Sequence, residues 1–214
     1  MDLTMTRHQY EQAGLDVGDV DPDPIVQFRE WMDAWAATGP RDPGLMVLGT
    51  TDADGWPATR AVLLRGLDDR GFAFFTNRMS DKGRSLDATK RASLSFVWHD
   101  LERQVRVVGE VEHLPDTESD AYFATRPRGS QIGAWASEQS QSVESREVLE
   151  ARVRALEAAV SCGAVPAAGP RRAQTGGNVG AAAELAIGAA PCFFSYLLRY
   201  APKQQFYSFP AQKA

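Results

Sequence analysis

The sequence predicts an α+β fold that is mainly β: a small barrel of antiparallel strands with helices at its periphery. Three observations predict it. Between Gly44 and Leu114, short runs rich in Val, Leu, Phe and Thr are punctuated by the turn signals Asp54-Gly55 and Asp69-Arg70-Gly71. Apolar side chains at spacings of three and four are confined to the stretches before and after that region. The chain has 214 residues, 43% hydrophobic and 24% charged, which is enough for one full-sized core in an ordinary globular composition. Strands that meet through tight turns favour an antiparallel barrel over a parallel sheet, whose crossovers need a dozen or more residues.

Residues 1–23 are polar and acidic and predict a mobile arm. Asp23-Pro24 then offers a cap and a first helical proline. Ile25, Phe28, Trp31, Met32 and Trp35 follow on one helical face, in a helix that packs on the barrel and ends near Gly39-Pro40. Strands are expected at about 45–52, 57–67, 71–77, 91–98 and 102–114, with a short helix from Ser80 to about Thr89. After Pro115, the acids Asp116, Glu118 and Asp120 suit the first turn of another helix, and Pro127 stops it near Thr125. A further helix is expected from about Ser145 to Val160, burying Leu149, Val153, Leu156 and Val160. Between Cys162 and Cys192, ten Ala and six Gly among 31 residues leave almost no apolar periodicity, which reads as linker or disorder. Aromatic residues return in Phe193 to Ala214, without a pattern that assigns an element.

Several function classes are excluded at this level. A net charge of −5 argues against nonspecific nucleic-acid binding, which requires a basic face. No apolar run approaches the roughly 18 to 20 residues that span a bilayer, and the first 24 residues lack the basic and apolar regions of a signal peptide, so the chain reads as cytoplasmic. Cys162 and Cys192 are far apart, with no CxxC and no histidine pair, and read as free thiols rather than metal ligands. His99, in Trp98-His99-Asp100, reads as a turn residue, because no nucleophile motif accompanies it.

The candidates for chemistry are anion binders. Ser80-Asp81-Lys82-Gly83 is a strand-to-helix turn with a serine cap, free backbone donors and a cation, a combination that attracts phosphate. Arg60 on a neighbouring strand can converge on the same anion, although regular alternation puts Arg60 and Arg65 on opposite faces. Gln104, among Val105, Val107 and Val108, offers a donor and an acceptor to a heteroaromatic ring edge. Tyr122 and Arg126 share a helical face, with Arg128 and Ser130 close behind, and present a phenol, a guanidinium and a hydroxyl to one phosphate ester. Taken singly, each of these is equally an ordinary surface or edge-strand residue.

Their combination is more specific. The string Arg126-Pro127-Arg128-Gly129-Ser130-Gln131-Ile132-Gly133-Ala134-Trp135, continued through Ala136-Ser137-Glu138-Gln139-Ser140, resembles the signature of the pyridoxamine 5'-phosphate oxidase family. The resemblance runs in register from about Asp21 through Val160, by way of Arg60 to Arg65, Phe74-Phe75-Thr76-Asn77, Ser80 to Gly83 and Trp98 to Gln104. It implies an FMN-binding split β-barrel that works as a homodimer with FMN at the subunit interface. By that resemblance Arg60, Val62, Leu63, Leu64, Phe75, Thr76, Lys82 and Gln104 line the FMN site, and Gln139 and Ser140 reach it from the second subunit. Arg65, Tyr122, Arg126 and Ser130 grip the substrate phosphate. The implied reaction moves a hydride from C4' of pyridoxamine or pyridoxine 5'-phosphate to N5 of FMN, giving pyridoxal 5'-phosphate, and O2 reoxidises the flavin with formation of hydrogen peroxide. The cofactor carries the redox chemistry, so no catalytic base is assigned.

Three departures accompany the resemblance. Arg65 stands where the family usually has Lys, and a planar fork is not a point charge. Asp81 stands where a basic residue commonly precedes the lysine. The family's closing Trp-Gly-Gly, Phe-Trp-Gln-Gly and Arg-Leu-His segments are absent after Val160. The expected organisation is therefore an arm at 1–23, the split-barrel domain at 24–160 and an atypical tail at 161–214, disordered or read from a shifted frame. Two alternatives follow: a noncatalytic flavin or pyridoxal phosphate binding protein, and a split-barrel flavin oxidoreductase with another substrate.

Overall fold

The computed structural model describes residues 15, 17–160, 165 and the strands Phe193–Tyr200 and Gln205–Ser208. Helix α1 (Pro24–Ala37) begins where the sequence places it: the Asp23 carboxylate accepts from the amides of Ile25 and Val26, and Pro24 occupies the first turn, where no amide donor is needed. Its inner face inserts Phe28 into the barrel mouth, edge-on to Phe72 at 5.0 Å and to Phe96 at 4.9 Å between ring centroids.

Five strands follow close to their expected limits: β1 (Leu45–Thr51), β2 (Pro57–Asp68), β3 (Gly71–Asn77), β4 (Arg91–Trp98) and β5 (Arg103–His113). The β1–β2 turn is built on Asp52, whose carboxylate accepts from Asp54 and Trp56, with Gly55 at a positive φ of 89° that favours glycine. Two strands lie beyond the expected set, β6 (Phe193–Tyr200) and β7 (Gln205–Ser208). All pairings are antiparallel, in the order β4-β1-β2-β3-β6-β5-β7, and a β4–β5 pairing closes the curl. Strand β6 is thus the stave that joins β3 to β5. The aromatic run after Cys192 gave no assignable element in sequence because its strand character depends on those two distant partners. The linker expected at 162–192, apart from Val165, lies outside the described residues, as does most of the expected arm.

The core fills the curl. Met46 and Leu48 alternate inward on β1, as do Leu94, Phe96 and Trp98 on β4 and Val105 and Val107 on β5, all at 1% exposure or less. Phe72, Phe74, Phe28 and Leu86 complete it. Each such side chain contributes roughly 1.5 to 3 kcal/mol through removal from water.

Helix α2 (Asp81–Thr89) carries Ser80 as its cap and ends on Lys90 in the left-handed conformation. Helix α3 (Asp116–Thr125) is followed by α4 (Arg128–Ala136) and α5 (Arg146–Ala159). Helix α4 was not expected: Pro127 was read only as a stop for α3. It also starts α4, because its ring fixes φ at −52° and its carbonyl accepts from Ser130 and Gln131. Helix α5 packs through Val153, Leu156 and Val160 on Phe123 and Ile132, forming a second small core with Val165.

Candidate active site

Strand β2 departs from regular alternation at one point. Leu64 pairs with Phe74 and Gly66 with Ala73, so Arg65 is left without an opposite residue and forms a bulge. The bulge re-aims its side chain, and Arg60 and Arg65 line the same cavity, although strict alternation would separate them. That cavity has a volume of about 1000 Å³ and lies between β2, β3, the start of α2 and the α3–α4 corner.

One end of the cavity is built by Arg60 and Lys82. The Arg60 guanidinium donates to Thr50 Oγ1 at 2.7 Å and to the carbonyls of Ala58 and Leu48, which holds it across the end of the β1–β2 ladder. Lys82 is buried in the first turn of α2. That turn sits hard against the preceding loop: a Cβ on Gly83 would stand 2.2 Å from the Arg78 carbonyl oxygen, so a side chain there forces the backbone apart. Burial pushes the Lys82 ammonium below its ordinary pKa, and the neighbouring Arg60 pushes it further, while Asp81 opposes both. Burial likewise lowers Arg60, again opposed by Asp81. The Asp81 carboxylate pairs with Arg84, which tempers its effect on the two cations.

The chain after α4 folds over this end. Gln139 lines the cavity and its side-chain oxygen accepts from Thr76 Oγ1 at 3.2 Å and from the Asn77 amide at 3.4 Å. Ser140, at a positive φ of 70°, accepts from the Asp81 amide through Oγ at 3.2 Å. Both residues were expected to arrive from a second subunit; here they already stand beside β3 and α2 of their own chain.

The other end is built by the α3–α4 corner. Tyr122, Arg126 and Ser130 line the cavity with Arg65. Burial lowers the Arg126 guanidinium, Tyr122 opposes the shift and Arg65 adds to it, so these groups lie within electrostatic reach of one another. Arg126 also sits over the Phe123 ring, 5.7 Å from its centroid. Buried Gln131 donates to the carbonyls of Phe123 at 3.0 Å and Ala124 at 3.2 Å, which fixes the end of α3. Its role was not singled out from sequence, since an amide inside a motif string carries no sign of which carbonyls it caps. Arg128 points elsewhere, donating to the Val160 carbonyl at the end of α5.

Val62, Leu63, Phe75 and Thr76 form the wall between the two ends. Three expected residues are not among the lining. Leu64 packs on the barrel core, because its position in β2 points inward. Gln104 pairs with Val97 on the outer face of the sheet and donates to Ser95 Oγ at 3.4 Å. Ser140 contacts α2 rather than the cavity. His99 is exposed on the turn between β4 and β5. Among the described residues, no Asp, Glu or His lines the cavity, and no group of three His, Cys, Asp or Glu could hold a metal. No helix there is long and apolar enough to cross a membrane.

Comparison with known proteins agrees with this geometry. The family model described as pyridoxamine 5'-phosphate oxidase matches residues 32–159. A pyridoxine/pyridoxamine 5'-phosphate oxidase of Rubrobacter xylanophilus is 52% identical over 156 residues, covering 73% of this chain and 72% of that protein. One from Cupriavidus necator is 56% identical over 150 residues, covering 70% of this chain and 71% of that protein. Among solved structures, PhzG from Burkholderia lata, in complex with tetrahydrophenazine-1-carboxylic acid, superposes with a TM-score of 0.73 at 26% identity, covering 89% of this chain and 82% of its own. A pyridoxamine 5'-phosphate oxidase-related, FMN binding protein from Nostoc punctiforme shares the fold, with a TM-score of 0.56 at 14% identity over 87% of this chain and 91% of its own. With a closed antiparallel curl, a two-ended cationic cavity and a family match over most of its length, this chain is a split β-barrel that belongs to the pyridoxamine 5'-phosphate oxidase family.

Proposed function

We propose that the chain is an FMN-dependent oxidase that converts pyridoxamine or pyridoxine 5'-phosphate to pyridoxal 5'-phosphate with O2 as electron acceptor, working as a homodimer. The observation that carries this reading is the pairing of like charges at two separate places in one cavity, Arg60 with Lys82 and Arg65 with Arg126. Burial sharpens the repulsion for Arg60, Lys82 and Arg126, with Arg65 at the exposed rim, and an anion relieves it, so each pair suits one phosphate. Two phosphate esters with flat rings between them are what a flavin mononucleotide and a phosphorylated pyridine require, and about 1000 Å³ accommodates both.

Arg60 and Lys82 take the FMN phosphate, with Thr76 and Gln139 supplying polar contacts and Val62, Leu63 and Phe75 the apolar wall. Arg65, Arg126, Tyr122 and Ser130 take the substrate phosphate. Bound in this cavity, FMN supplies the hydride acceptor and the route to O2. The protein contributes position: it fixes both phosphates and excludes water from the wall between them, with no carboxylate or imidazole of the described lining acting as a base. The relatives' names support the substrate class, at identities twice that to PhzG.

The second copy is supported by the outer face of the sheet. Leu45 and Val47 of β1, Val97 of β4 and Val108 of β5 are 40% to 52% exposed and share one face, since Val47 pairs with Ser95 and Val108 with Ser93. Exposed apolar side chains set among Ser93, Ser95, Gln104 and Arg106 suit an isologous contact of mixed polarity. Gln104 lies on the same face and would meet ligand only across that contact.

Purified protein with added FMN is expected to consume oxygen when given pyridoxine 5'-phosphate, read with an oxygen electrode. A second reading, ligand binding without turnover, is favoured by the absence after Val160 of the Trp-Gly-Gly, Phe-Trp-Gln-Gly and Arg-Leu-His segments. It predicts bound flavin and pyridoxal 5'-phosphate with no oxygen uptake.

A further inference from the structure

Both ends of the cavity meet at one contact. Phe75 belongs to β3, next to Thr76, and its ring lies flat on that of Tyr122, with 3.6 Å between centroids and 13° between planes. Tyr122 is half-buried, four residues ahead of Arg126 on α3. Among the described residues no hydrogen bond holds its hydroxyl, so the ring face of Phe75 is what fixes the height and tilt of the phenol beside Arg126 and Arg65. The α3 backbone is anchored separately: Gln131 holds its last carbonyls, and Arg70 bridges Glu118 at 2.9 Å and Asp68 at 2.7 Å. The helix is therefore placed without Phe75, whereas the Tyr122 side chain is not.

We propose that Phe75 is a positioning residue for the substrate-phosphate subsite, acting through Tyr122, and that the stack sets how strongly the cavity prefers a phosphorylated pyridine over its unphosphorylated counterpart. This rests on the phosphate grip assigned above to Arg65, Tyr122, Arg126 and Ser130. A leucine at position 75 preserves apolar volume but offers no flat face, so the phenol is free to rotate away from Arg126 and the phosphate loses one oriented donor. A tyrosine at position 75 preserves the face.

The test is an equilibrium one, made on the full chain with FMN present, and it does not require turnover. Dissociation constants are measured for pyridoxal 5'-phosphate and for pyridoxal, and their ratio gives the preference for phosphate. In Phe75→Leu the ratio is expected to fall by about tenfold, the worth of one hydrogen bond to a charged group. Phe75→Tyr restores it, and in a Tyr122→Leu background Phe75→Leu lowers it no further. If Phe75→Leu weakens both ligands equally, or if its effect adds to that of Tyr122→Leu, Phe75 is only a wall and the inference fails. A wild-type protein with no preference for the phosphorylated ligand would remove the phosphate grip itself; a preference that survives Phe75→Leu would remove the positioning role alone.

Discussion

At the scale of single residues, the cavity is set by cations close to their own kind: Lys82 is buried, Arg60 and Arg126 are half-buried and Arg65 is exposed. Replacing Lys82 with Met is expected to weaken FMN binding by roughly tenfold or more, through loss of one charge-assisted contact to phosphate, while riboflavin binding changes little. Fluorescence titration of the two flavins separates these outcomes. The pH dependence follows from the direction of the Lys82 shift. A base whose folded pKa lies below its ordinary 10.5 binds fewer protons in the folded chain than in the unfolded one, so the ligand-free protein gains stability as pH rises through that window. A bound phosphate favours the charged ammonium, so binding takes up a proton there and FMN affinity falls as pH rises toward 10.5. The Lys82→Met protein is expected to show no such fall. Lys82, Arg60, Tyr122 and Arg126, which line one cavity, stood out in the sequence because cap, charge and helical spacing are local signals. Arg65 was assigned by resemblance alone: regular alternation set it on the face opposite Arg60, and its place beside the same cavity depends on a one-residue slip between β2 and β3 that composition does not encode.

At the scale of elements, the first turn of α2 is the piece whose placement matters most. Its N-terminal turn brings Lys82 to the cavity, and its last turn is tied by Asp87 to His113 at 2.7 Å, Lys90 at 3.2 Å and Arg78 at 3.5 Å. Gly83→Ala puts a methyl group into the Arg78 carbonyl, and backbone cannot yield as a flexible side chain would. The expected cost is about 1 to 3 kcal/mol of stability, seen as a lowered Tm, with FMN affinity lowered as Lys82 is displaced. The limits of α1 and of β1 to β5 were readable because Asp23-Pro24, the Asp-Gly turns and period-two alternation act within a few residues. Helix α4 was missed for the opposite reason: Pro127 is equally good at ending one helix and starting another, and only the packing of Ile132 against α5 decides that both occur.

At the scale of the whole molecule, the curl of strands gives the cavity a rigid wall and leaves Leu45, Val47, Val97 and Val108 exposed on its outer face. Phe96 is fully buried at the centre of the aromatic cluster with Phe28, Phe72 and Trp98, so Phe96→Ala is expected to cost about 3 to 5 kcal/mol in denaturant unfolding. A charge on the outer face tests assembly instead: Val47→Asp is expected to shift the mass measured by light scattering from two chains to one, because Val47 is exposed within the chain and its loss leaves the core intact. The barrel itself was foreseeable, but its closure was not, because β6 joins β3 to β5 only after more than 70 intervening residues that carry no strand pattern. The central claim is that one cavity seats FMN and a phosphorylated pyridine so that hydride passes between them. The most direct measurement is an anaerobic titration of the FMN-loaded protein with pyridoxamine 5'-phosphate, followed by flavin absorbance. The visible absorbance is expected to bleach stoichiometrically and to return when oxygen is admitted; a flavin that stays oxidised while pyridoxamine 5'-phosphate saturates the protein would contradict hydride transfer in this cavity.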